Sequence, residues 1–129
     1  HGNRVNVTDG RHVYLREPVT ADGGPLYTYT LMPTRMRGFD MPEDMQRAGP
    51  FGFTCGLPLM RYGRATDGQI RSDPDHLLFD VLEDPRQARP LEDPQVERRL
   101  IETMRRLMAE CEAPPEQYQR MGIEPPDPQ

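Results

Sequence analysis

The apolar and polar positions along this chain predict short strands in the first two thirds and a long helix near the end. Two β-type runs, 4–7 and 11–15, flank residues 8–10, and the Asp-Gly pair between them is a hairpin signal. A two-residue loop is one possible register and a three-residue loop is the other. We favour the three-residue loop because it places four apolar side chains on one face: Val5, Val7, Val13 and Leu15.

The middle of the chain has weaker patterns. Residues 26–32 have the aromatic and β-branched content of a strand, and both of its sides are partly apolar, which predicts a central or doubly covered strand. Residues 42–48 predict a short helix with Pro42 at its first position. Residues 51–62 are apolar but broken by Gly and Pro, so an irregular segment with one short strand is expected. Residues 65–75 predict a polar loop.

The last third carries the clearest pattern. Residues 77–82 almost lack polar side chains, which predicts a strand buried on both faces or in mid-sheet. Asp93 is the expected N-cap of a helix with Pro94 at its first position, and 18 residues would make it about 27 Å long. Its apolar face repeats at helical spacing: Val96, Leu100, Ile101, Met104, Leu107, Met108 and Cys111.

Two smaller features complete this helix. Glu102 and Arg106 are spaced for an i,i+4 ion pair on its polar side. Residues 115–121, which follow two prolines, can add one more helical turn. The expected fold is therefore α+β, with a small antiparallel sheet of three to four strands packed by one long C-terminal helix. We expect one domain over residues 1–123 and a mobile, Pro-rich tail over 124–129.

Composition limits the size of the core and the class of partner. The chain has 129 residues, 35% of them hydrophobic, with no Trp and 15 Pro, so a core completed against a neighbouring domain or a second copy is expected. The net charge is −5, all 16 basic residues are Arg, and no basic cluster is present, which argues against nucleic acid. No apolar run approaches the roughly 20 residues of a membrane span.

Cys55 and Cys111 are too few for a disulfide framework, so reduced, partly buried thiols are expected. Reduced thiols favour the cytoplasm over the periplasm. Because the chain begins at His1 without Met, we expect a fragment or a processed product. The compartment therefore stays open between the cytoplasm and the periplasm.

Several groups of residues have the composition of a site. Asp73, Asp75 and His76 resemble metal ligands, but no second cluster matches them, and a solvated loop is favoured. Four carboxylates are candidates for acid–base chemistry, although turn formation explains them better: Asp80, Glu83, Asp84 and Glu92. Ser72 is the single serine and lacks a nucleophile motif, which argues against a serine hydrolase.

Positive charge gathers around the expected hairpin, where a sulfate or phosphate ester could be met. The residues are His1, Arg4, Arg11, His12 and Arg16. The first four of these, His1, Arg4, Arg11 and His12, are the candidate substrate-facing residues. A solvated face is the favoured alternative explanation.

Four blocks resemble one subfamily of bacterial sulfatase-like hydrolases, in the alkaline-phosphatase-like superfamily, and they follow the family's order. Residues 77–85 resemble its C-terminal signature of a strand and an Asp-Pro turn before a long helix, with Gln87 where the family often has Glu. The four blocks are 5–14 (VNVTDGRHVY), 25–34 (PLY with TLMPT), 78–85 (LFD with EDP) and 113–122 (APPEQY with MG).

The resemblance implies that the parent enzyme hydrolyses sulfate esters, with phosphate or phosphonate esters as relatives. In that family an N-terminal catalytic domain carries a formylglycine, a calcium-like divalent cation and the sulfate pocket. None of these maps onto this chain, so no catalytic, metal or cofactor residue is assigned here. Cys55 is followed by Gly56, Leu57 and Pro58, and it lacks the family's Cys-x-Pro-Ser-Arg context.

Two functional hypotheses follow from the sequence. The first is an accessory C-terminal subdomain, inactive alone, that packs on the catalytic domain and borders the substrate entrance. The second is a free-standing module for protein interaction or self-association, without catalytic activity.

Overall fold

A computed structural model describes residues 4–32, 34–35, 38–39, 43–63 and 75–126. In chain order the elements are β1 (Val5–Thr8), β2 (His12–Arg16), β3 (Tyr27–Thr30), β4 (Thr34–Arg35), β5 (Gly38–Phe39), β6 (Gln46–Ala48), β7 (Leu59–Gly63), β8 (Leu77–Asp80), α1 (Pro94–Glu110) and α2 (Pro115–Met121). A one-turn 3₁₀ helix, Gly52–Thr54, precedes β7. The α+β class is as predicted.

The chain forms two compact units, one of which is discontinuous in sequence. The first unit joins residues 1–25 to residues 67–129, and the second comprises residues 26–66. The described strands form two three-stranded antiparallel sheets, β1-β2-β8 and β3-β7-β6, and the ladder β4-β5. The prediction of a single small sheet was therefore too simple.

The hairpin of β1 and β2 has a different register from both predicted ones. Val7 pairs with Tyr14, and the four residues 9–12 lie between the pair Thr8 and Val13. The turn is longer because the Asp9 carboxylate accepts the backbone N–H groups of the residues two and three positions later. Tyr14 therefore faces the core beside Val7, and the predicted face that joined Val5 and Val7 to Val13 and Leu15 was wrong.

Strand β8 pairs with β2 and completes the first sheet. Leu78 lies opposite Tyr14, and Phe79 lies opposite Val13. Both side chains are buried, and neighbours along a strand point to opposite faces, so the predicted burial on two faces is confirmed. Among the described strands β8 stands at the end of its sheet, not in the middle.

Helix α1 begins as predicted. The Asp93 carboxylate accepts the N–H groups of Gln95 and Val96, and Pro94 occupies the first helical position. Leu100 and Met104 are buried in the core. Toward the end of the helix the apolar face opens, since Leu107 is 40% exposed.

The predicted ion pair within α1 was wrong in its partners. Glu102 pairs with Arg105 at 2.7 Å, and Arg106 pairs with Glu110 at 2.7 Å. Both alternatives lie at the i,i+3 or i,i+4 spacing that brings helical side chains together. Sequence spacing alone therefore did not distinguish between them.

Helix α2 is a second helix and an integral part of the core, where one long helix had been expected. Tyr118 and Met121 are buried together with Ile123 just beyond the helix. The Arg120 guanidinium donates to the Gly23 carbonyl at 2.7 Å, and the Arg120 carbonyl accepts from the Val19 N–H at 2.9 Å. The predicted extra turn thus anchors the loop that follows β2.

The second unit departs further from the predictions. Residues 46–48 form β6, paired through Arg47 and Met60 with β7, where a helix over 42–48 had been predicted. So short a helix gains little by itself, and strand pairing supplies a ladder instead. Among the described strands β3 lies at a sheet edge, so of its two predicted settings, central or doubly covered, the central one is wrong. The irregular segment with one strand over 51–62 is confirmed.

Some predictions fall on parts of the chain that the structure does not describe. Pro42, nearly all of the predicted loop 65–75 and the last three residues of the predicted tail 124–129 are outside the described residues. Residues 124–126 are exposed and have no regular structure.

Candidate functional site

Arg11, at the turn of the first hairpin, faces a carboxylate and not open solvent. Its guanidinium bonds Asp80 Oδ2 through Nε at 2.9 Å and Nη2 at 2.8 Å. The hydrogen bond from Arg11 holds the pKa of Asp80 below its usual value. This contact joins the β1-β2 turn to the end of β8.

His12 belongs to a second cluster at the same turn. Its Nδ1 lies 3.1 Å from Asp9 Oδ2, and Arg99 of helix α1 donates to the same oxygen at 2.6 Å. The backbone N–H of His12 is the main cause of a lowered pKa for Asp9, and the Arg99 bond adds to it. Arg11 and His12 at this turn therefore contact Asp80 and Asp9, respectively.

Arg4 lies at the opposite end of the hairpin. It forms an ion pair with Glu17, whose side chain is buried. Because β2 runs from His12 to Arg16, this pair is displaced along the strand by about 13 Å from His12. The structure therefore does not bring Arg4 together with Arg11 and His12, and His1 is outside the described residues. The assignment of these four to the substrate remains a prediction.

A cleft lies beside the first turn of α1 in the first unit. Its volume is about 310 Å³. We call it the α1 cleft. It is lined by Tyr14, His76, Leu78, Leu91, Glu92, Asp93, Pro94 and Glu97.

The polar wall of the α1 cleft centres on the Tyr14 hydroxyl. This hydroxyl donates to Glu97 Oε1 at 2.9 Å and accepts from Arg16 Nη1 at 3.1 Å. Burial, reinforced by the bond to Glu97, raises the pKa of Tyr14 to about 12. The phenol is therefore neutral at physiological pH and fixes the position of the Glu97 carboxylate.

His76 forms another part of the wall. Its Nδ1 accepts the backbone N–H of Glu17 at 3.1 Å, which leaves the proton of the neutral ring on Nε2. The ring packs edge to face on Tyr14, with centroids 6.0 Å apart. Partial burial and then the positive charge of Arg16 lower the pKa of His76, which favours the neutral ring.

The sequence did not reveal this cleft. The metal-ligand pattern that included His76 also involved Asp73 and Asp75, and Asp73 is outside the described residues. Glu97 lies one turn after the Asp93 cap, but nothing in its spacing indicated that it would meet Tyr14 of β2. Among the described residues, no group of three or more His, Cys, Asp or Glu side chains is placed to hold a metal ion.

Two of the four carboxylates considered for acid–base chemistry, Asp80 and Asp84, organise turns. Asp80 Oδ1 accepts the N–H groups of Leu82 and Glu83, at 3.1 and 3.2 Å. Asp84 Oδ2 accepts the Arg89 N–H at 2.8 Å. The turn that was predicted at residues 83–85 is confirmed, and these bonds explain why Asp occurs there.

The second unit carries an exposed aromatic and apolar surface. The rings of Phe51 and Phe53 stack with centroids 5.4 Å apart, and Tyr29 meets Phe51 edge to face. Phe53 is 69% exposed. A shallow groove of about 570 Å³ on the same unit is lined by Leu31, Met45, Gln46, Arg47, Pro58, Leu59 and Met60.

Both cysteines are free thiols on the surface. Cys55 ends the 3₁₀ helix in a left-handed conformation with φ of 52°, and Cys111 follows the last turn of α1. The expectation of partly buried thiols was wrong because each residue lies at the end of a helix, where the chain turns outward.

No protein-family model, curated protein or solved structure matches this chain. Among the described residues, no helix is both long enough and apolar enough to cross a membrane.

Proposed function

We propose that this chain is the C-terminal accessory subdomain of a sulfatase-like hydrolase, packed on a catalytic domain and inactive alone. One observation supports this most. The first and third resemblance blocks, residues 5–14 and 78–85, meet as neighbouring strands, with Val13 opposite Phe79. The side chains of Arg11 and Asp80 then join the two blocks directly.

The proposal assigns no chemical step to this chain. The formylglycine and the calcium-like cation of such an enzyme belong to its catalytic domain. The side chains here do not suit either group, because Cys55 lacks the modification sequence and the described residues offer no three-ligand cluster. The role left to this chain is packing, together with a border for the substrate entrance.

Exposed apolar side chains support a packing role. Large hydrophobic side chains are exposed on the described surface of both units. Those more than half exposed are Val19, Leu31, Met32, Phe53, Leu57 and Leu82. Burial against a larger domain would remove them from water at roughly 25 cal/mol per Å² of apolar surface.

The test begins with the genomic reading frame. We expect an upstream Cys-x-Pro-Ser-Arg in frame, and we expect the full-length product to hydrolyse an aryl sulfate. The same product cut before residue 1 should lose most of that turnover, and addition of this chain should restore it. A parent that keeps full activity without this chain would contradict the proposal, as would aryl sulfate hydrolysis by this chain alone.

A free-standing self-association module is the second candidate, and the exposed Phe53 surface favours it. In that case the purified chain forms a stable oligomer, which sedimentation velocity would detect. Phe53→Ser and Leu57→Ser should dissociate the oligomer, whereas Glu110→Gln, a surface change on α1, should not. A monomer at all concentrations would exclude this candidate.

A further inference from the structure

We propose that His76 is an acid-sensitive clasp, which holds the chain after β2 to the chain before β8 only while its imidazole ring is neutral. The clasp joins Glu17 to His76 across 59 positions of sequence, within the first unit. It is a conformational switch that opens in acid, and it is independent of the sulfatase proposal.

The clasp lies where the ladder between β2 and β8 ends. The paired register of these strands runs as far as Leu15 and Leu77. Two residues beyond Leu15, the backbone N–H of Glu17 donates to His76 Nδ1 at 3.1 Å, where a continued sheet would use a backbone carbonyl. A titratable side chain therefore supplies an acceptor that in the rest of the ladder comes from the main chain.

A protonated His76 cannot accept this hydrogen bond. The neutral ring has one nitrogen lone pair, which here receives the Glu17 N–H, whereas the imidazolium carries N–H groups on both nitrogens and has no acceptor. Glu17 is only 2% exposed, so water has little access to replace the lost acceptor. Two donors would then face each other, and separation of the two chain segments relieves that conflict. Acid therefore favours the open clasp.

The surroundings of His76 favour the neutral ring in the closed state. Burial and then the positive charge of Arg16 lower the pKa of His76, although Glu97 and Asp75 act in the opposite direction. An open clasp exposes the ring and returns its pKa toward the ordinary value of about 6.5. The open state therefore binds a proton more readily, and opening becomes easier as the pH falls below that value. The described titratable and charged groups around the ring are Tyr14, Arg16 and Glu17 at β2, Asp75, Glu92 and Asp93 in the connecting segments, and Glu97 of α1.

Other contacts limit how far the chain can move when the clasp opens. The Glu17 carboxylate forms an ion pair with Arg4, and the Val19 N–H donates to the Arg120 carbonyl of α2 at 2.9 Å. His76 takes part in neither contact. Protonation therefore frees the main chain at Glu17 while the loop that follows β2 stays attached to α2, which is a local opening and not unfolding of the unit.

The test is amide hydrogen exchange of the full chain, measured by NMR at several pH values. We expect the protection factor of the Glu17 amide to fall between about pH 7.5 and 5.5, by about tenfold at most, which is the limit for one proton that binds with a pKa near 6.5. Protection of the Val19 amide, which α2 holds, should not change. Equal losses at the two residues would indicate general unfolding and would overturn the proposal, as would a Glu17 amide that is insensitive to pH.

The ring nitrogens of His76 provide a second readout in the natural chain. At about pH 7.5 their ¹⁵N shifts should indicate the neutral tautomer with its proton on Nε2, because Nδ1 accepts from Glu17. A proton on Nδ1 at this pH would exclude the clasp.

The variant His76→Asn separates the hydrogen bond from the proton. The asparagine oxygen can take the place of Nδ1 and accept from Glu17, but it does not titrate. Protection of the Glu17 amide should therefore no longer depend on pH in this range. His12→Asn, which removes the other imidazole among the described residues, is the matched control and should keep the pH dependence of the natural chain. If His76→Asn keeps that dependence, another group titrates and the proposal is overturned.

Discussion

Asp9 shows how a single carboxylate determines local structure that hydrophobic pattern does not predict. It accepts backbone N–H groups from Arg11 and His12 and also meets Arg99. These bonds lengthen the turn, and the longer turn changes which side chains of β2 face the core. The register was therefore decided by polar contacts in the turn and not by apolar alternation in the strands.

Asp9→Asn should weaken the fold in a pH-dependent way. Because the pKa of Asp9 is lowered in the folded state, its contribution is present above the unfolded pKa and is lost as the pH falls below about 4. We expect a loss of about 1 kcal/mol at neutral pH, comparable to loss of a helix cap, and a smaller difference in acid. Urea unfolding of the natural chain and the variant, at neutral and at acidic pH, measures this difference in the free energy of unfolding. An equal difference at the two pH values would contradict the prediction.

Tyr14→Phe should change the dependence of stability on pH in the alkaline range. A raised phenol pKa of about 12 means that the folded state resists ionisation, so stability is lost as the pH rises from about 10 toward 12. The variant lacks this alkaline loss, and at neutral pH it should be less stable by about 1 kcal/mol because Glu97 loses its donor. Thermal melts across the alkaline range, compared with Tyr27→Phe, provide the check.

Among the elements, α1 and β8 were predictable because their signals are local. Asp93 with Pro94 marks the start of α1, and a run without polar residues marks β8. Strand β6 and helix α2 depend on distant partners instead. Met60 pairs with β6, and the core residues of β1, β2 and α1 pack on α2, so no local pattern identified their roles.

Helix α2 should contribute to stability as much as α1 does per buried side chain. Met121 and Met104 are both buried in the same cluster. Alanine at either position should cost about 2–5 kcal/mol in the free energy of unfolding. Leu107→Ala, at an exposed position of α1, should cost less than about 1 kcal/mol. Chemical denaturation measures the loss in the free energy of unfolding for each of the three variants. A loss for Met121→Ala close to that for Leu107→Ala would show that α2 is peripheral.

For the molecule as a whole, length and composition do not reveal that the chain forms two compact units. The first unit stops near residue 25 and resumes near residue 67, so it is discontinuous in sequence. The candidate cleft was equally hidden, since it joins Tyr14 to Glu97 across more than 80 residues.

Each of the two units exposes one cysteine, so the reactivity of the thiols tests the structure of both units. We expect an aromatic disulfide reagent to titrate both thiols without denaturant, and denaturation should add none. Cys55→Ser and Cys111→Ser should each leave one reactive thiol. If either thiol reacted only after unfolding, that residue would be buried as the sequence had suggested.

Because the first unit is discontinuous in sequence, its sheet is completed late in synthesis. Strand β8 is synthesised about 60 residues after β2, which at roughly 5–20 residues per second amounts to about 3–12 s. Once the hairpin has left the ribosome and until β8 follows it, the open edge of β2 presents unpaired backbone groups to other chains or to a chaperone. Pauses in translation between residues 26 and 76 would therefore lengthen a period in which this edge can pair wrongly.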